Sequence, residues 1–92
     1  MKKIEINGIE YEIVSDDYKC VDKKLLDAKV TDYFKDYDYI FGDISYDKIR
    51  LKGYYDSKNK KVKEINDIKY VEKYKLEYCS YGAKTFLLKK IG

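Results

Sequence analysis

An Asn-Gly pair near the start of the chain separates two short segments in which apolar and charged residues alternate. Asn7-Gly8 favours the positive backbone φ angles of a type I′ turn, the tight connection between two antiparallel strands. A two-residue turn pairs Ile6 with Ile9 and places Glu5 opposite Glu10, a repulsive pair that a neighbouring basic strand would relieve. The chain is therefore expected to begin with a β-hairpin whose core-facing side chains are Ile4, Ile6, Ile9, Tyr11 and Ile13.

Two helices are predicted from apolar residues that recur at intervals of three and four. The first spans about Asp22 to Tyr37, with Asp22 as a suitable N-cap. The second spans about Asp67 to Cys79, with Asn66 or Asp67 as its cap, and Gly82 is suited to the left-handed position that ends a helix. The expected buried stripes are Leu26, Val30, Tyr33, Phe34 and Tyr37 in the first helix and Val71, Tyr74, Tyr78 and Tyr81 in the second.

Three further strands are predicted, and the first two, residues 39–45 and 49–55, are joined by a tight loop at Tyr46-Asp47. On the core face of this hairpin, Gly42 and Gly53 would let an aromatic side chain of a helix approach the sheet closely. Residues 83–90 form the last strand, and their continuous apolar run predicts a central place in the sheet. The element order is therefore ββαββαβ. It predicts a single α+β domain over residues 1–92, with a mostly antiparallel sheet and both helices on one face.

The composition excludes several classes of function. The 92 residues include 19 lysines, one arginine and 17 acids, and no histidine, proline or tryptophan. Without histidine there is no His-dependent triad, and two cysteines make no zinc pattern, so we expect no enzyme, no cofactor and no metal. No apolar run approaches the roughly 18 residues of a membrane span, and no segment resembles a secretory signal. We therefore expect a cytoplasmic protein with no membrane partner.

The outward face of the middle hairpin is the main candidate site, because aromatic rings and bases alternate across it. Open sheets with this mixture stack nucleic-acid bases on the rings and hold phosphates with the bases. The alternative is a structural or protein-binding face, in which Asp43 pairs with Arg50 across the strands and Lys52 lies along Phe41. As the only arginine, Arg50 also suits a phosphate or a partner's carboxylate. The members of this face are Tyr39, Phe41, Asp43, Arg50, Lys52 and Tyr54.

A second candidate is a lysine-rich loop over residues 56–64, interpreted as a mobile loop within the domain. Residues 58–92 carry 10 bases and 4 acids, a net charge of +6, which suits nucleic acid or an acidic protein but equally a solvated lysine surface. Basic loops attract phosphate backbones without sequence preference, although a plain solvated loop has the same composition. Cys79, near the end of a predicted helix, is interpreted as a buried, small apolar residue. The loop lysines are Lys58, Lys60, Lys61 and Lys63.

Four sequence blocks in the second half of the chain carry a family resemblance: Tyr37-Asp38-Tyr39-Ile40-Phe41-Gly42-Asp43, Ile49-Arg50-Leu51-Lys52-Gly53-Tyr54-Tyr55-Asp56, Glu77-Tyr78-Cys79-Ser80-Tyr81-Gly82 and Phe86-Leu87-Leu88-Lys89-Lys90. With these blocks, the segment from Tyr37 to Ile91 resembles the YutD-like family of small Firmicute proteins. The resemblance implies an α+β fold and a cytoplasmic setting, and it carries no catalytic residues over to this chain. Two positions depart from the family pattern: Ile44-Ser45-Tyr46 stands where Trp-Gly-Tyr is frequent, and Ala83 stands where a second cysteine is frequent.

Two functions compete at this point. The first is a small binding module associated with RNA or the ribosome through the basic and aromatic face, helped by the basic loop. The second is a protein-interaction module, either an adaptor or a homodimer, that does not bind nucleic acid, since tyrosine-rich faces are also frequent at protein interfaces. Nucleic acid that co-purifies with the protein and is lost in high salt would indicate the first function, and a clean dimer by light scattering would favour the second.

Overall fold

Five antiparallel strands form one sheet in the computed structural model, which describes residues 2–16, 21–45, 48–78 and 83–91. The strands lie in the order β1-β2-β5-β3-β4, and the element order and α+β class confirm the prediction. The sequence places two helices between the strands, α1 (Lys23–Lys29) and α2 (Val71–Tyr78). The strands are β1 (Lys3–Ile6), β2 (Ile9–Asp16), β3 (Tyr39–Ser45), β4 (Lys48–Tyr54) and β5 (Lys84–Lys90).

The first hairpin has the predicted turn and register. Asn7 and Gly8 both have positive φ angles, 51° and 84°, and Ile6 pairs with Ile9. Glu5 lies opposite Glu10, whose carboxylate is 3.6 Å from the Lys3 ammonium. On its other side β2 pairs with the lysine-bearing strand β5. The acidic face of the hairpin therefore has the basic neighbour that its charge pattern requires.

The second hairpin also has the predicted register, with Gly42 opposite Leu51 and Asp43 opposite Arg50. Strand β5 lies between β2 and β3, at the centre of the sheet, as its apolar run predicts. Phe86 and Leu88 are buried on one face of β5, and Leu87 packs into the core on the other.

The first helix is shorter than predicted. Asp22 is its N-cap and accepts hydrogen bonds from the backbone of Lys24 and Leu25, at 3.0 and 3.3 Å. The helix ends at Lys29, because Val30 is extended, and a separate 3₁₀ turn follows at Asp32–Phe34. β-Branched residues at 30 and 31 are poor helix formers. The break leaves Tyr33 about two-thirds exposed rather than buried in a helical stripe.

The second helix follows a 3₁₀ turn at Ile68–Tyr70, which Asp67 caps by accepting a hydrogen bond from the Lys69 backbone at 3.1 Å. Val71 and Tyr74 pack against the sheet as predicted. Several residues for which the sequence made a prediction lie outside the described residues: Tyr46, Asp47, Cys79, Tyr81 and Gly82, as does the side chain of Tyr78.

The prediction that both helices cover one face of the sheet is wrong, because they lie on opposite faces. Leu26 of α1 belongs to the core that contains Ile40 and Phe86. Val71 of α2 belongs to a second core, with Phe41 and Tyr54. Since β3 and β5 carry apolar residues on both faces, each face needs its own cover.

Gly42 and Gly53 each leave space for an aromatic ring against the sheet. Only the ring over Gly53 comes from the segment that was predicted as the first helix. Tyr37, just after the 3₁₀ turn, lies over Gly53 as predicted. The ring over Gly42 is that of Phe86, which comes from the neighbouring strand β5 instead of a helix. A Cβ at either glycine would overlap its ring, so both positions require the absence of a side chain.

Candidate functional site

The hairpin face predicted as an open stacking surface is largely covered by α2. Phe41 and Tyr54 are 4% and 1% exposed. The Tyr74 ring of α2 meets both edge-on, with centroids 5.8 Å and 6.3 Å away. Because a stacked base needs an open ring face, the prediction that Phe41 and Tyr54 stack on a ligand is wrong. Tyr39 is half-buried beside the same core.

Arg50 and Asp43 form the cross-strand pair that their register predicts. The Arg50 Nε and Nη2 atoms donate to the two carboxylate oxygens of Asp43, at 3.0 and 2.5 Å. The carboxylate is buried, whereas about half of the arginine side chain is exposed. A two-point contact of this kind orients the guanidinium. Arg50 therefore presents a fixed positive charge at the rim of the sheet.

Lys52 lies at the border between the covered core and solvent. Its ammonium is 4.8 Å from the Tyr54 ring centroid and 4.2 Å from that of Tyr74, within cation–π range. Burial lowers the pKa of Lys52. The lysine borders a cavity of about 230 Å³ between β4 and α2, also lined by Glu64, Ile65, Tyr70, Lys73 and Glu77.

The four loop lysines are all exposed, but hydrogen bonds hold the loop backbone against the domain. These lysines are Lys58, Lys60, Lys61 and Lys63. One Asp38 carboxylate oxygen accepts hydrogen bonds from the Asp56 backbone and the Asn59 side chain, at 2.8 and 2.9 Å. The Ser57 hydroxyl donates to Asp67 at 2.5 Å. These contacts anchor the basic loop to the domain and present its lysines to solvent.

Sequence reasoning missed the exposed apolar residues beside β4. Tyr33 and Ile65 are 67% and 72% exposed, and they border one groove of about 220 Å³ together with Tyr37 and Leu51. We call these four residues the β4 edge patch. The sequence feature that could have predicted this exposure is the β-branched pair Val30-Thr31. It ends the helix at this point, so Tyr33 does not belong to the buried stripe of the helix.

The edge patch is held together by aromatic contacts. The Tyr33 and Tyr37 hydroxyls are 3.0 Å apart, and the Tyr37 ring centroid is 4.6 Å from that of Tyr55. The hydrogen bond with Tyr33 and the burial of the ring raise the pKa of Tyr37 to about 12. The Tyr37 hydroxyl therefore stays uncharged at neutral pH.

β4 is the last strand of the sheet, so its outer edge has no described strand beside it over Lys48–Tyr54. Just after the strand, Tyr55 forms a single parallel bridge with Asp67. Edge strands expose backbone hydrogen-bonding groups to other chains. The edge patch thus flanks a stretch of backbone that is able to pair.

Within the described ranges, no group of three or more His, Cys, Asp or Glu side chains is placed to hold a metal ion. No helix in the same part of the chain has the length and apolarity of a membrane span.

Comparison with known proteins gives consistent matches. A family described as "Putative antitoxin YutD-like" matches residues 5–89. The Bacillus subtilis (strain 168) protein named "Putative antitoxin YutD" is 35% identical over 88 residues, which cover 96% of this chain and 97% of that protein. The solution NMR structure of protein yutD from B. subtilis superposes with a TM-score of 0.78 at 34% identity. The superposition covers 99% of this chain and 83% of that one.

Proposed function

The chain belongs to the YutD-like family, and on that premise we propose that it is a binding module that acts as an antitoxin by contacting a partner protein directly. The observation that carries the proposal is the β4 edge patch. Its two most exposed members, Tyr33 and Ile65, lie beside a strand edge that has no described strand next to it over Lys48–Tyr54. Tyrosine and large aliphatic side chains at an exposed surface are typical anchors of protein interfaces.

The covered hairpin face favours a protein partner over the RNA-binding hypothesis that was drawn from the sequence. With Phe41 and Tyr54 beneath α2, the rings that base stacking needs are inside the domain. Tyr33, the most exposed aromatic residue in the described part of the chain, borders the groove beside β4. We therefore also propose a binding role and not a catalytic one.

RNA binding remains a second candidate function through a different surface. Four lysines project from the anchored loop over residues 58–63, and such a patch holds phosphates without reading sequence. In this alternative, binding falls steeply with salt concentration and depends on Lys58, Lys60, Lys61 and Lys63.

The test is recovery of a partner with the tagged full-length chain, with and without RNase, followed by reconstitution of the complex from purified components. We expect one protein to remain bound after RNase treatment. We also expect coexpression of the chain to relieve growth inhibition caused by that protein. Tyr33→Ala and Ile65→Ala should each weaken the reconstituted complex roughly tenfold or more, the range of an interface anchor.

Leu76→Ala is the matched control, because Leu76 is 85% exposed on α2 and does not border the edge groove. Binding that survives both edge variants but is lost in the control would contradict the assigned site. A complex that RNase abolishes would replace the proposal with the RNA alternative.

A further inference from the structure

The outer edge of β4 has two chemically different sides. Ile49 and Leu51 point to the α1 face, where both are half-buried. Lys48, Arg50 and Lys52 alternate with them on the α2 face, because successive residues of a strand point to opposite sides. One side of this edge is therefore apolar and the other is basic.

The apolar side has open space beside it. A groove of about 310 Å³ at the Lys48 end of the strand is lined by Leu25, Ile44 and Ile49, with Lys29 and Lys48 at its border. The groove at the β4 edge patch continues along Leu51 toward Tyr37. A strand placed against the β4 edge would direct every second side chain into these grooves.

On the basic side, Lys52 borders the cavity between β4 and α2, which Tyr54, Ile65, Tyr70 and Tyr74 line together with Glu64, Lys73 and Glu77. Lys48 is exposed, and about half of the Arg50 side chain remains exposed despite its contact with Asp43. Opposite charges that face each other across paired strands stabilise the pairing, and like charges oppose it. The side chains of an added strand on this face would therefore be acidic.

We propose that the β4 edge takes up an extended segment of a partner protein in which acidic residues alternate with apolar ones. This inference rests on the proposed function and gives the binding mode and the chemistry of the partner. The added strand pairs with the backbone of Lys48–Tyr54, its apolar side chains enter the two grooves, and its acids face the basic row.

A second copy of this chain does not fit the same edge. Two β4 strands paired antiparallel about a two-fold axis would bring their basic rows together on one face, with Arg50 or Lys52 of each copy facing a base of the other. The charge pattern that invites an acidic strand thus opposes self-pairing. Lysines at an edge are a common protection against such association.

The experiment uses the full-length chain and a synthetic peptide of about seven residues, the length of an ordinary strand, in which Glu alternates with Val and Ile. One control peptide has the same composition with the acids grouped at one end, and another has Lys in place of Glu. Backbone amide hydrogen exchange and NMR shift changes report the site. We expect only the alternating acidic peptide to slow exchange of outward-facing β4 amides.

Two charge-reversal variants isolate the basic row. Lys48→Glu, on the exposed end of β4, should weaken binding of the alternating acidic peptide roughly tenfold. Lys60→Glu makes the same change of net charge in the basic loop and should have less than a twofold effect. The acidic peptide should also compete with the reconstituted partner.

Any of three results overturns the proposal. The peptide with grouped acids binds as tightly as the alternating peptide, or the NMR shift changes map to residues 56–64. The third is that millimolar alternating peptide leaves amide hydrogen exchange in β4 unchanged. A partner protein that binds Lys48→Glu as tightly as the unmodified chain also overturns it, while the proposed function stands. If the peptide protects β4 but no protein partner stays bound after RNase treatment, or the chain does not relieve growth inhibition by that partner, the proposed function fails and the edge chemistry stands.

Discussion

The Tyr37 ring occupies the space that a side chain at Gly53 would need, since a Cβ built on Gly53 overlaps the ring. This contact joins the segment after α1 to strand β4. It also seats Tyr37 where its hydroxyl meets that of Tyr33, 3.0 Å away. The bare backbone of one residue in β4 therefore positions the aromatic part of the β4 edge patch.

Gly53→Ala should lower the free energy of unfolding by about 1–3 kcal/mol, the usual cost of overpacking, because Tyr37 must move. Urea denaturation of the variant measures the loss. In a Tyr37→Ala background the ring is absent, so the same substitution should cost much less. Additive losses in the double variant would contradict the contact as the cause.

Arg50→Ala should destabilise the protein because it deprives the buried Asp43 carboxylate of a two-point donor. The expected loss in free energy of unfolding is about 1–3 kcal/mol. Lys48→Ala is the control, since it removes an exposed base two positions away and should change stability by less than about 0.5 kcal/mol. A double-variant cycle with Asp43→Asn should show coupling. Equal effects of Arg50→Ala and Lys48→Ala would mean that the pair adds nothing to stability.

Asn7 has two roles, and one substitution separates them. Its positive φ angle suits the hairpin turn, and its side-chain amide donates to the carbonyls of Val30 and Asp27, at 2.6 and 3.1 Å. Asn7→Gly keeps the turn conformation and removes both hydrogen bonds, so the free energy of unfolding should fall by about 1–2 kcal/mol. Thermal denaturation measures this change. Asn7→Asp, which places a carboxylate beside those carbonyls, should cost more than Asn7→Gly, and the reverse order would contradict the donor role.

The Ser57–Asp67 contact predicts acid sensitivity of the basic loop. The hydrogen bond from Ser57 holds the pKa of Asp67 below its ordinary 3.8, against the opposing effect of burial and with help from Lys69. Because the folded-state pKa is depressed, the contribution to stability is complete above 3.8 and is lost as pH falls through the folded-state value. The stability difference between the unmodified chain and Ser57→Ala should therefore shrink at lower pH.

Urea denaturation of both proteins across the acid range measures that difference. Ser15→Ala, at an exposed strand position, is the control and should show no such pH dependence. A difference for Ser57→Ala that stays constant from neutral pH to below 3.8 would contradict the role of the Asp67 carboxylate.

Part of the candidate site was visible in the sequence. Alternation in the second hairpin predicted that Asp43, Arg50 and Lys52 share a face and that Asp43 lies opposite Arg50. The same pattern did not predict that Phe41 and Tyr54 on this face are covered. The apolar stripe of α2 showed that the helix must pack on something, but a stripe does not specify which face of a sheet receives it.

Local chemistry alone determined the two hairpins, their registers and the cap of α1. Asn7-Gly8, the period-two alternation and Asp22 act through neighbours a few residues away, so the sequence suffices for them. Contacts between distant segments decided the rest. Asn7 reaches across to the end of α1 at Val30, where the helix stops and Tyr33 is left exposed. The central position of β5 gave the sheet two apolar faces and so separated the helices. Only this tertiary arrangement placed β4, whose apolar and basic sides follow from alternation in the sequence, at the edge of the sheet.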